Sequence, residues 1–344
     1  MAKSRYKKSR WTTLPDEELL DYRFCDLKLD IRKSVLQERI DQVYEELERR
    51  NLRFKPHFWL SEEWFSPDGV PGVAIPFYLA HPRLAKLELH QMFEVEGGNP
   101  RWCLQLLRHE TGHAISTAYR LHRKKRWRKL FGTSTKKYPK FYIPNTKSKS
   151  FVLHLDWWYA QSHPSEDFAE TFAAWLKPRN NWRKQYSGWP VIKKLEYVDE
   201  LMQEIENMIP PVRSKEFVEP ISRNRQTLRE HYIAKREYYG VNFPEVYDGE
   251  LIRLFTDRAD NNGTKRNAAA FLARVRPELS QVCARSIGES PYVIAQVIQS
   301  MISRCRSMNL RFSGEEDQVK IEVAIFICMQ TVNYLHDIRH RVMV

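Results

Sequence analysis

The sequence predicts an α+β chain, mainly helical with a small sheet, followed by an all-helical C-terminal region. Three observations predict it. Apolar residues recur at helical spacing over much of the chain. Two short apolar runs before residue 80 are interrupted by Pro and Gly and read as strands. Beyond about residue 227, helix-like segments follow one another almost without a break. At 344 residues the chain has room for two domains, or one domain with a large extension.

Taken in order, residues 1–28 carry no clear period and begin with a run of Lys and Arg, which reads as a basic N-terminal arm. No apolar core follows that run, so it is not a secretory signal. Ile31, Val35, Leu36, Ile40, Val43 and Leu47 place an amphipathic helix at about 29–50. Leu52 to Leu60 and Val73 to Leu79 are the strands, separated by Pro67-Asp68-Gly69 and Pro71-Gly72. An antiparallel or mixed sheet edge suits them. Pro82 opens a helix through Phe93 that Gly97-Gly98 ends. Asn99-Pro100 then supplies an N-cap and a first-turn proline for a helix whose apolar face is Trp102, Cys103, Leu106, Leu107 and Ile115.

Residues 132–155 form a Lys-, Ser- and Thr-rich excursion with one strand expected near Phe151 to Leu155. Pro164 starts the next helix, with Ser162 or His163 at its cap and Phe168, Phe172, Trp175 and Leu176 as its stripe. Another helix, Trp189 to Met208, ends at Pro210-Pro211. The expected organisation is therefore an arm (1–28), a main domain (29–209), a linker (210–226) and a helical region (227–344). Helices in the last are expected at 227–239, 249–258, 265–287, 291–308 and 315–341, with breaks at Gly240, Gly263, Gly288 and Ser313-Gly314, and a kink or split at Pro277.

Composition narrows the function classes. Hydrophobic residues make up 42% of the chain, yet no apolar run approaches the roughly 20 residues that cross a bilayer, so no membrane span is expected. The five cysteines are widely spaced and form no Cys-x-x-Cys, which disfavours a disulfide framework or thiolate zinc site and fits a reducing cytoplasm. The net charge of +13 is concentrated in one place. Between Glu110 and Asp156 there is no acidic residue, and that interval is rich in Lys and Arg. Arg123, Lys124, Lys125, Arg126, Arg128 and Lys129 are its densest part and the candidate polyanion contacts. Three readings stand: a solvated face, recognition of an acidic peptide or protein, or nucleic-acid contact helped by Trp127, Tyr138, Phe141 and Tyr142.

The chemistry-bearing motif is His109-Glu110-Thr111-Gly112-His113, inside the Asn99-capped helix. Residues four apart share one helical face, so His109 and His113 can present two imidazoles to one zinc ion. Glu110, beside the first ligand, can reach a metal-bound water as general base. Two histidines leave the ion short of protein ligands, and a third must come from elsewhere. His122, His154, Asp156, His163, Glu166, Asp167 and Glu170 are the candidates. A Gly and a His three and six residues after His113 would make a metzincin pattern, but Ser116 and Tyr119 stand there. His122 lies too far along the same helix. Glu166 and Glu170 are four apart on the next capped helix. One can bind the metal and the other can orient a ligand histidine, although a solvated acidic face has the same spacing.

The run Glu166-Asp167-Phe168-Ala169-Glu170-Thr171-Phe172, together with the first motif, resembles gluzincin peptidases related to anthrax lethal factor and a bacterial group described as zinc-binding metallopeptidases. The resemblance covers about 99–177 and leaves out the C-terminal 130 or so residues. It implies a zincin-like metallopeptidase domain at 29–209 with one Zn²⁺ held by His109, His113 and Glu166, and with Glu170 orienting a ligand. It also implies that Tyr159, seven residues before Glu166, assists at the oxyanion, although ordinary packing beside Trp157 and Trp158 explains that residue equally well. The function then expected is hydrolysis of peptide bonds through a zinc-bound water with Glu110 as base. The alternative is a non-catalytic zinc-containing regulatory or nucleic-acid-associated protein; a structural site, however, needs no base at position 110.

Overall fold

A computed structural model of the chain describes residues 9–139, 141–239, 248–256, 266–336 and 342–343. The basic start up to Lys8, the breaks expected at Gly240 and Gly263, and the far ends of the helices expected at 249–258 and 315–341 lie outside the described residues. The chain divides into two compact units. One comprises Met1–Leu87, Val95–Glu230 and Met343–Val344; the other comprises Glu88–Glu94 and His231–Val342. The architecture is mainly helical with a small parallel pair of strands, consistent with α+β.

The first unit begins earlier than the sequence expectation of an arm through residue 28. A 3-10 turn at Arg10–Thr13, helix α1 (Asp16–Leu20) and a second turn at Phe24–Leu27 bury Trp11, Leu19, Leu20, Phe24 and Leu27. These large side chains are spaced too irregularly to show a helical or strand period, yet each removes apolar surface from water. Helix α2 (Leu36–Arg49) buries Leu36, Ile40, Val43 and Leu47 on one face. The first residues of the helix expected at about 29–50 instead form a separate 3-10 segment, Ile31–Lys33, capped by Asp30, whose carboxylate accepts from the Arg32 N–H.

Strands β1 (His57–Ser61) and β2 (Gly72–Pro76) pair in parallel, from His57 opposite Gly72 to Ser61 opposite Pro76. They are shorter than the apolar runs that announced them. Phe65 adds a single antiparallel bridge to Ala74. The segment expected to be a linker lies along β1. The Trp59 indole donates to the Val218 carbonyl, the Ser61 hydroxyl to the Glu219 carbonyl, and the Ile221 N–H to the Leu60 carbonyl.

Helices α3 (Pro82–Met92, whose residues from Glu88 on belong to the second unit), α4 (Pro100–Tyr119), α5 (Lys125–Phe131), α6 (Pro164–Leu176), α7 (Trp182–Gln185) and α8 (Ile192–Ile205) follow, and α9 (Leu228–Tyr239) begins at the end of the unit. Asn99 caps α4 by accepting from the Trp102 N–H, with Pro100 in the first turn. His163 caps α6, its imidazole accepting from the Ser165 N–H. No strand forms near Phe151 to Leu155; the strand in this excursion is Phe141–Tyr142. The Leu153 and Leu155 N–H groups are instead satisfied by side chains, the Tyr186 hydroxyl and the Glu170 carboxylate. Satisfying backbone donors this way removes the need for a ladder.

Helices α4 and α6 approach closely because Gly112 has no side chain. A Cβ there would sit 2.8 Å from the Cα of Ala169. The glycine inside the histidine motif is thus a packing requirement, and it sets the distance between the two helices that carry the candidate site.

In the second unit, α10 (Asp248–Thr256), α11 (Ala268–Ile287), α12 (Pro291–Ser307) and α13 (Glu316–His336) bury Phe255, Phe271, Leu272, Leu279, Ile298, Met301 and Val323 in one apolar core. Pro277 does not split α11, which runs on to Gly288 in the left-handed conformation (φ 80°). No described helix is long and apolar enough to cross a membrane.

Candidate metal centre

Helix α4 turns His109, Glu110 and His113 toward α6, and α6 turns Glu166 and Glu170 back. The Nε2 atoms of His109 and His113 lie 3.1 Å apart. One oxygen of Glu166, Oε2, lies 2.9 Å from the first and 3.1 Å from the second. One donor atom from each residue converges within 4.8 Å of the others, the arrangement a metal ion requires. On the far side of its ring, His109 Nδ1 is 2.8 Å from Glu170 Oε1. The other oxygen of Glu170 accepts the Leu155 N–H at 2.8 Å. With Nδ1 facing that carboxylate as a donor, Nε2 is the nitrogen left with a lone pair for a cation.

The site is buried: His109 is 2% exposed and Glu170 fully enclosed. Burial opposes charge on His109 and His113, but the neighbouring carboxylates outweigh it and raise both imidazoles above their usual range. Burial likewise opposes charge on Glu166, and the two histidines reverse this, holding its carboxyl well below the usual range. Burial pushes the Glu110 carboxyl up, and this outweighs the opposing pull of His109 and His113. Without a cation, His109, His113 and Glu166 hold one another charged; a metal ion at this point would take the place of the two histidine protons, leaving two imidazole nitrogens and one carboxylate oxygen as its donors.

Two further contacts orient the helices. Arg108, next to His109, makes a two-pronged pair with Glu46 of α2, at 2.7 and 2.8 Å, both side chains buried. Lys194 of α8 lies 2.6 Å from Asp167, next to Glu166. Burial pushes the Asp167 carboxyl up to about 7, against the pull of Lys194. Neither pair has a sequence signal, because an isolated charge on an apolar helical face looks like any surface charge.

Tyr159 packs its ring against His109, with centroids 5.7 Å apart. The backbone just before it is unusual: Trp157 and Trp158 both have positive φ, 60° and 54°. Such conformations cost on the order of 1 kcal/mol or more each and persist where surroundings hold them. Here the Tyr142 hydroxyl donates to the Trp157 carbonyl at 2.7 Å. Burial, with Glu166 and Glu110 nearby, raises the Tyr159 phenol well above its ordinary value, so it stays a proton donor.

The other sequence candidates for the third position lie elsewhere. His154 exchanges hydrogen bonds with the backbone and side chain of Gln105. His163 caps α6, and Asp156 is exposed. One site residue had no forewarning as such. Tyr138, in the excursion, donates its hydroxyl to Glu166 Oε1 at 2.7 Å.

The basic stretch is partly neutralised in place. Lys124 pairs with Glu204 at 2.5 Å, and Arg126 pairs with Glu200 while lying over the Tyr197 ring. Trp127, one of the aromatics that suggested base stacking, is 1% exposed and belongs to the core. Arg123, Lys125, Arg128 and Lys129 are exposed.

Residues 96–207 match the model of a family described as "Putative zinc-binding metallo-peptidase". The matched segment is about a third of the chain and contains the three converging residues, Glu110, Glu170, Tyr138 and Tyr159. Neither a curated protein nor a solved structure matches the chain.

Proposed function

We propose that this chain is a zinc-dependent peptidase of the gluzincin type, with a zincin-like catalytic domain resembling that of anthrax lethal factor. The observation that carries the reading is the convergence of His109, His113 and Glu166 on one buried point, with the base candidate Glu110 next in sequence to the first of them. The family match over the same residues supports it.

Zinc held by these three residues would supply a Lewis acid that lowers the pKa of water towards roughly 7 and polarises a peptide carbonyl. The protein's own groups do the rest. Glu110 takes a proton from the attacking water as the C–O bond forms, and gives it to the leaving amine as the C–N bond breaks. Its raised pKa brings the carboxyl nearer to neutral pH, where one group can both take a proton and return it. Tyr159, protonated and beside His109, donates to the oxyanion. Glu170 holds His109 in the tautomer that leaves Nε2 for the metal. The substrate is a peptide or protein.

The test is metal content and hydrolysis of a peptide library by the native protein and by Glu110→Gln. About one zinc per chain is expected in both, with hydrolysis in the native protein alone. Equal turnover by the two would remove Glu110 from the reaction. Zinc without turnover in either would leave a non-catalytic zinc protein.

A further inference from the structure

We propose that Tyr138 is a positioning residue that makes Glu166 a one-oxygen metal ligand and keeps the remaining side of the site open. The inference rests on the metal reading of the site. It begins with an asymmetry between the two oxygens of Glu166. Oε2 faces both histidine Nε2 atoms, at 2.9 and 3.1 Å. Oε1 instead receives the Tyr138 hydroxyl at 2.7 Å. A carboxylate with one free oxygen can rotate and offer both oxygens to a cation, as carboxylates do in calcium sites. A hydroxyl donated to Oε1 fixes that rotation and occupies the oxygen that would otherwise compete with water for the ion.

The phenol does not hang from a loose loop. Its ring stacks on the imidazole of His163, with centroids 3.8 Å apart and planes 21° from parallel. Nδ1 of His163 accepts the Ser165 N–H at the start of α6. The proton is therefore on Nε2, which donates to the Lys136 carbonyl at 2.8 Å. One imidazole thus caps the helix carrying Glu166, ties down the backbone two residues before Tyr138, and supports the phenol ring. The lysine-rich excursion is, at this point, anchored to the ligand helix.

The experiment uses the full chain as Tyr138→Phe, which removes the hydroxyl and keeps the ring for stacking. Four quantities are measured: melting of the metal-free protein, zinc loss to a competing chelator, kcat on a cleaved peptide, and the visible spectrum after substitution with Co²⁺, which reports the number and arrangement of ligands. The expected result is unchanged melting, on the order of 10–100-fold weaker zinc retention, and a cobalt spectrum altered towards higher coordination. His163→Asn is the second variant, because Asn still caps a helix but offers no ring to stack on. It is expected to change the same two metal readouts in the same direction, and it decides the matter if Tyr138→Phe does not fold. Native zinc retention and an unchanged cobalt spectrum in Tyr138→Phe overturn the proposal. So does a loss confined to kcat, which would make Tyr138 a donor to the reacting substrate. If the native protein takes up no metal, the reading of the site fails, and the role of Tyr138 fails with it.

Discussion

Two pairs of packed helices in this molecule are built on opposite principles. Where α11 meets α12, the buried residues are almost all apolar: Phe271, Leu272, Leu279, Ile294, Ile298 and Met301 among them. Where α4 meets α6, the seam holds His109, Glu110, Glu166 and Glu170, with Arg108 buried on an adjoining face. The first seam gains stability from removing apolar surface from water. The second removes charges from water, which costs several kcal/mol per ion before pairing offsets it. A chain that packs an apolar seam elsewhere carries a costly polar one here, which marks the α4–α6 seam as the candidate for function. Among the described residues, the one group of His, Cys, Asp and Glu placed to hold a metal is in the second seam.

The largest effect is expected at Arg108 and Glu46. Glu46→Ala leaves a buried guanidinium without its partner, and a loss of about 3–5 kcal/mol is expected in denaturant unfolding. Replacing both residues with apolar ones of similar volume should recover most of it. A single-variant cost below about 1 kcal/mol would mean that the polar face is no more demanding than the apolar one.

A smaller effect sharpens the contrast from the other side. In the second unit, burial pushes the carboxyl of Glu289 from the usual 4.5 up to about 7. The folded state holds this proton more tightly than the unfolded state, so stability falls as pH rises between those two values. Glu289→Gln is expected to match the native protein below about pH 4.5 and to become more stable as pH rises, by at most about 3 kcal/mol above pH 7. A difference that does not vary with pH would contradict this account.

The smallest effect belongs to the surface. Lys124 and Glu204 are 37% and 54% exposed, so Lys124→Ala should change stability by no more than about 1 kcal/mol, and less at high salt. A larger, salt-resistant loss would show that this pair behaves like those in the α4–α6 seam.

What the sequence determined by itself was local. The Asn99 cap, the Pro164 start, the period of α2 and the i, i+4 placement of His109 and His113 are set by neighbours within one or two turns, and all were legible. The aromatic and leucine residues of 10–27 were not, since they follow no period and find their burial only against distant parts of the chain. Parallel pairing of β1 and β2 was equally hidden, because alternation and run length say nothing about strand direction. Within the candidate site, spacing put Glu166 and Glu170 on one face and could go no further. Which of them meets both histidine Nε2 atoms depends on how α6 lies across α4, and that is decided where Ala169 rests against the bare backbone of Gly112. Tyr138 on Glu166 and Arg108 on Glu46 are contacts across 28 and 62 residues. Contacts that long leave no period in a sequence, so only the tertiary structure decides them.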